Sequence, residues 1–199
     1  LKNELEQLRK EIVAAEENKR YTAMGIEPLF SVFEDAKIVI VGQAPGIKAQ
    51  QSKMFFNDKS GIKLREWLGV SEDIFYNSGL IAVVPMDFYY PGKGKNGDLP
   101  PRKNFASKWH KKILDLMPNI ELIILVGAYS QNYYLNDIKE KTLTETVCNY
   151  NEYLPRYFPI VHPSPLNFRW FGKNPWFEEK IVPALREKVR NILGEDVFQ

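Results

Sequence analysis

The sequence predicts an α/β fold of three layers, with helices on both faces of a central, mainly parallel sheet of about four strands. Two observations carry this. Short β-branched apolar runs, 37-KIVIVG-42 and 121-ELIILVG-127, end in glycine, as strands buried on both faces do where they open into loops. Segments of helical spacing lie between such runs, and strands alternating with helices imply parallel pairing.

The elements follow in order. Residues 1–18 place Leu1, Leu5, Leu8 and Ile12 at helical spacing among charges, so they form an amphipathic helix packed on a larger body. Residues 19–36 carry Gly25 and Pro28 and read as an irregular connection. After the strand at 37–42, Ser60 to Leu68 reads as a helix with Leu64, Trp67 and Leu68 on one face. A second strand is 80-LIAVVPM-86, followed by a long proline- and glycine-rich loop, 91-PGKGKNGDLPPR-102. A helix spans about 104–117, and the strand at 121–127 follows. Helices are expected near 128–136 and 142–149, the second with Thr142 and Glu145 spaced as a capping box. A last strand, 157-YFPIV-161, leads into 161-VHPSPLNFRW-170. The final helix starts at 174-NP-175, an N-cap with proline next, and runs to about Leu193 with a kink at Pro183.

The 199 residues fit a single domain, 1–199. A hydrophobic share of 44% supports a sizeable core and argues against disorder. One cysteine, Cys148, excludes an internal disulfide framework and an all-cysteine iron–sulfur cluster. With two histidines, His110 and His162, a histidine-rich metal site is not expected. The polar, helical start does not read as a signal peptide, and no apolar run approaches a membrane span. The expectation is a soluble cytoplasmic protein without membrane partners, and a monomer. The net charge of +2 neither demands nor excludes nucleic acid.

In parallel sheets, ligands bind beyond the carboxyl ends of the strands. The loops 42–58, 87–102 and 162–173 all follow strands and should gather at one edge. In 42-GQAPGIKAQ-50, Gly42 and Gly46 permit sharp turns and Pro45 fixes one, but the loop is neither a Walker loop nor a dinucleotide fingerprint. In 54-MFFNDKSG-61, the phenylalanines beside Asn57 and Asp58 form either a stacking platform with polar reading groups or core residues followed by a helix cap. His110, in 107-SKWHKK-112, reads as a surface histidine. His162 differs: it stands at a strand end in a proline-stiffened loop, where a neutral imidazole can donate to charge developing on a leaving group. Leu166 and Phe168, beside Arg169 and Lys173, read as packing or as a wedge that enters a base stack. Lys93, Lys95, Arg102 and Lys103 are candidate phosphate contacts.

GQAPG after the first strand and HPSPL after the last together resemble the uracil-DNA glycosylase superfamily, and the likeness covers roughly 37–190. It implies a uracil-DNA glycosylase-like sheet and a DNA partner, single- or double-stranded, with no metal or redox cofactor. By this resemblance, His162 contacts the base carbonyl and stabilises the departing base anion. Ser164 holds a phosphate, Leu166 fills the place of the flipped base and Phe56 stacks on that base. Gly42, Pro45 and Gly46 shape the loop that holds the attacking water.

The chain departs from the family pattern. One branch has aspartate where Ala44 stands, and another has glutamate where Gln43 stands. Gln43 orients water through its carbonyl but is no base at neutral pH. Asp58 is the first substitute carboxylate and Asp87 the next. The family's base-reading asparagine falls near Ala82, where this chain reads IAVVPMD, so Asn57 or Asp87 takes that role. One branch also carries iron–sulfur cysteines, which 15–25 lacks. The expectation is a DNA glycosylase acting on a damaged or deaminated, uracil-type base. Its alternatives are a nucleic-acid-binding member without hydrolysis, or an enzyme of free nucleotides.

Overall fold

Four parallel strands form the central sheet in the order β2-β1-β5-β6, in a computed structural model that describes residues 1–199. They are β1 (Ile38–Val41), β2 (Ile81–Val83), β5 (Leu122–Val126) and β6 (Tyr157–Ile160). β1 lies centrally, with Ile38 opposite Ile81 on one side and Leu122 on the other. β6 closes the sheet by pairing with β5, Ile124 against Phe158.

The alternation of side chains along each strand divides the core in two. Val39, Val41, Ile123 and Leu125 face one cluster, completed by Leu8 and Ile12 of α1 (Lys2–Ala14) and by Trp109 and Ile113 of α6 (Phe105–Leu114). Ile38, Ile40, Leu122 and Ile124 face the other, with Leu64, Trp67 and Leu68 of α4 (Lys59–Leu68) and Leu185 and Val189 of α10 (Val182–Leu193). Both faces are therefore covered, which gives the three layers. No helix is long and apolar enough to cross a membrane.

The boundaries differ from the sequence reading in a few places. The stretch 19–36 holds a short helix, α2 (Lys19–Ala23). Further short helices, α3 (Ile47–Ser52) and α9 (Phe168–Lys173), lie inside segments read as loops, and α5 (Glu72–Asn77) precedes β2 with Ser71 as its cap. The glycine-rich loop forms a small antiparallel hairpin of β3 (Lys93–Gly94) and β4 (Gly97–Asp98). Between β5 and β6 run α7 (Ala128–Tyr134) and α8 (Leu143–Cys148), the latter with the expected capping box of Thr142 and Glu145. At Pro183 the final helix loses a backbone donor and takes a π-helical turn over Phe177–Ile181 before α10.

The outer edge of β2 is paired with the chain that precedes β1. The Ser31 N–H donates to the Val83 carbonyl at 2.9 Å, and the Val83 N–H donates to the Ser31 hydroxyl at 2.7 Å. β6, the opposite edge strand, contains Pro159, which has no N–H to offer.

His110 is not a surface residue. It sits on the inward stripe of α6, where a neutral imidazole bridges Pro85 and Tyr134. The Pro85 carbonyl can only accept, so Nε2 carries the proton at 2.9 Å and Nδ1 accepts from the Tyr134 hydroxyl at 2.6 Å. Burial lowers its pKa to about 4, with the Pro85 bond opposing.

Candidate active site

Beyond the carboxyl ends of β1, β2 and β6 lies a cleft of about 690 Å³. The loop 42–46 forms its base, with Gln43 and Ala44 half-buried and Pro45 buried. Phe56, Asn57 and Asp58 line one side; His162, Ser164 and Leu166 line another. Most residues singled out in the sequence thus meet in one place. Arg169 and Lys173 lie outside the cleft on α9, exposed beside Leu166.

The glycines of the motif loop act through space rather than through turn geometry. Neither Gly42 nor Gly46 has a positive φ, and Gly46 is extended at φ −72°. A Cβ on Gly42 would meet the Phe56 ring at 3.4 Å, so the missing side chain lets that ring close over β1. The loop backbone is fixed by the chain after β2, where the N–H groups of Met86 and Asp87 donate to the carbonyls of Gly42 and Gln43. The Gln43 backbone is thereby held while its amide side chain lines the cleft.

Phe56 stands at φ +50°, a left-handed conformation that is costly for an aromatic residue. Its carbonyl is gripped by Arg65 Nη1 and the Tyr76 hydroxyl, both at 3.2 Å. Gly61 permits this: a Cβ there would fall 1.6 Å from the Phe56 oxygen. The ring is half-buried and edge-on to Phe75 at 6.3 Å. Asp58 combines two of the expected features. Its Oδ1 caps α4 by accepting from the Gly61 N–H at 2.9 Å, and its carboxylate borders the cleft. Sequence reading passed over Gly61, Arg65 and Tyr76; a glycine inside a helix was the available signal.

His162 is half-buried at the end of β6. Gln131, buried in α7, donates to the Ile160 carbonyl at 2.9 Å and ties the ends of β5 and β6 together beneath it. Gly127 approaches from β5, where a Cβ would stand 3.9 Å from the His162 Cβ. Asn167 reaches back to donate to the His162 carbonyl at 2.8 Å, and Ser164 Oγ accepts from the Leu166 N–H at 3.2 Å. The loop is therefore pinned by prolines and by side chains. Burial lowers the His162 pKa, and the Asp58 charge partly offsets that shift. The imidazole is neutral at physiological pH and can donate a hydrogen bond into the cleft.

Leu166 is 85% exposed and Phe168 64% exposed, so neither is a packing residue. The Arg169 guanidinium lies over the Phe168 ring at 5.7 Å, and Trp170 anchors α9 by donating to Thr144 Oγ1 at 2.9 Å. An apolar tip beside cations, on a pinned base, is suited to entering a base stack.

Asp87 and Arg102 do not belong to the site surface. Asp87 has 0% exposure; its Oδ1 accepts from the Tyr89 N–H and Arg102 Nη2, its Oδ2 from the Arg102 N–H and Nε. Its acceptor positions are taken by the protein, so it neither activates water nor reads a base edge. Arg102 also donates to the Glu17 carbonyl and Asn18 Oδ1, so it is a structural clamp rather than a phosphate contact. Lys93, Lys95 and Lys103 remain exposed.

A further carboxylate lines the cleft. Asp98, at the end of β4, places Oδ2 3.9 Å from where a Gly46 Cβ would stand. Val83 and Pro85 occupy the cleft where the end of β2 borders it, so that part of the wall is apolar. The family model of the uracil DNA glycosylase superfamily matches residues 30–186, a span that holds the whole sheet, the 42–46 loop and the 162–167 loop. The chain belongs to the uracil-DNA glycosylase superfamily.

Proposed function

We propose that this protein is a DNA glycosylase that hydrolyses the N-glycosidic bond of a flipped, damaged or deaminated base of uracil type, as a step of base excision repair. The observation that carries the reading is the pairing of a recessed His162 with an 85% exposed Leu166, four residues apart on one pinned loop. One residue faces the cleft that takes the base; the other fills the gap that the base leaves.

The chemistry follows from charge. Breaking the bond puts positive charge on the sugar and negative charge on the base. The neutral His162 imidazole donates a hydrogen bond to the base carbonyl as that charge grows. The Phe56 ring supplies a stacking face, and Asn57 a polar group for a base edge. Gln43 orients the water through its amide oxygen, and Asp58 adds a negative charge that favours the cationic sugar. Ser164 Oγ accepts a backbone N–H, so its hydroxyl proton is free to meet a phosphate, and Arg169 and Lys173 add cationic contacts on the strand.

The exposure of Leu166 and Phe168 weighs against an enzyme of free nucleotides, which needs no wedge. A binding protein without hydrolysis is the reading favoured by the missing carboxylate at Gln43 and Ala44. The deciding experiment is base release from labelled oligonucleotides carrying uracil, hydroxymethyluracil, hypoxanthine or xanthine, single-stranded and paired, with His162→Ala as control. Release that disappears in the variant supports the glycosylase. Salt-sensitive DNA binding with no release from any substrate overturns it in favour of the binding protein.

A further inference from the structure

The cleft has a second wall, the β3–β4 hairpin, whose Gly97 and Asp98 line it. Its turn is tight: Gly92 and Gly97 sit at φ +110° and +124°, Lys93 pairs with Asp98, and the Leu99 N–H donates to the Gly92 carbonyl at 2.8 Å. The chain that leaves the hairpin reaches Arg102, which is anchored on buried Asp87. This brings Asp98 across the cleft to the motif loop at Gly46.

The Asp98 carboxylate is oriented but not neutralised. The Tyr90 hydroxyl donates to Oδ1 at 3.2 Å, and the Tyr90 N–H donates to Oε1 of Gln50, on the helix that follows the motif loop, at 2.9 Å. Asp98 takes part in none of the protein's ion pairs. Of the other two aspartates of this region, Asp87 is enclosed by Arg102, and Asp58, which also borders the cleft, has Oδ1 engaged in capping α4.

We infer that Asp98 supplies, from the opposite wall, the carboxylate that loop 42–46 lacks, and that it is the general base for the attacking water. The inference rests on the glycosylase reading. Gln43 holds the water and Asp98 Oδ2 accepts its proton. The water oxygen forms a bond to the sugar C1′, the C1′–N bond breaks with its electron pair going to the base, and the proton passes from Asp98 through solvent to the departed base. The products are the free base and an abasic sugar, and no further reactant is required.

The test compares the wild type with Asp98→Asn and Asp58→Asn in single-turnover base release, with DNA affinity measured by fluorescence anisotropy. Asp98 is exposed, so Asp98→Asn should keep the melting temperature of the wild type. The expected result for Asp98→Asn is a loss of ~100-fold or more in rate with unchanged affinity, as for removal of a general base, and a smaller loss for Asp58→Asn. The loss should be uniform across the bases that the wild type releases. A rate near wild type, or a loss confined to one base, overturns the role of Asp98 while leaving the glycosylase intact. A wild type that releases no base overturns both.

Discussion

Arg102 grips Asp87 with two parallel hydrogen bonds, Nε to Oδ2 at 2.7 Å and Nη2 to Oδ1 at 2.8 Å, beneath the loop that carries the site. The same guanidinium lies over the Phe105 ring at 4.3 Å and reaches the turn after α1. One side chain thus joins the N-terminal helices, the end of the hairpin and the chain behind Gln43. Arg102→Met leaves a buried carboxylate without its partner and should cost about 3–5 kcal/mol in urea unfolding. Arg102→Lys should restore only part of this, since an ammonium cannot reproduce the fork. Wild-type stability in either variant would mean that the pair does not clamp the fold.

His162→Ala should lower the base-release rate by ~100-fold or more while the unfolding midpoint stays near that of the wild type. Because burial holds the imidazole pKa below 6.5, the ratio of wild-type to variant rate should be constant from neutral pH down to about that value and change only in more acidic solution. A pH–rate profile of wild type against variant reads both effects.

Leu166→Ala should reduce release from duplex DNA more than from single strands, because only the duplex has a stack to fill. Equal losses on both would mean that Leu166 is no wedge. Raising the salt concentration should weaken DNA binding for wild type and variant alike.

Gly61→Ala places a methyl group where the Phe56 carbonyl already lies. The backbone must move, at a cost of about 1–3 kcal/mol, and the strained Phe56 should leave its position over Gly42. Urea unfolding and base release should both decline in this variant. A change in release without a change in stability would indicate a local effect of α4 alone.

His110 predicts a pH-dependent stability. In the unfolded chain it titrates near 6.5, and in the folded protein near 4, so the unfolded state binds the extra proton between those values. This contribution is fully present above pH 6.5 and declines as pH falls toward 4, by roughly 3 kcal/mol in all. Unfolding free energies of wild type and His110→Gln should therefore converge as the pH is lowered from 7 to 4.

The parts of the site that could be read from the chain are those whose chemistry is contiguous. HPSPL and GQAPG stiffen or thin the backbone within five residues, and both motifs border the cleft. Asp87 was misplaced because its position after β2 is right for a site residue, while the partner that encloses it stands fifteen residues later. Asp98 was overlooked for the complementary reason: it approaches Gly46 only once the hairpin forms. His110 was legible in principle. Phe105, Trp109 and Ile113 mark a buried stripe on α6, and His110 follows Trp109 along it, but the neighbouring lysines pointed to the surface. The sheet was easier, since runs such as IVIV and LIILV can be buried on both faces without a polar side chain to accommodate.

The two rims of the sheet bear on how the protein behaves in a crowded solution. Exposed strand rims are templates on which other chains can add and grow into aggregates. Here one rim is occupied by the chain around Ser31, and the other is interrupted by Pro159. A strand added from outside would therefore meet an edge already paired on one side and, on the other, a strand that lacks a donor at Pro159, and both features disfavour association through the sheet.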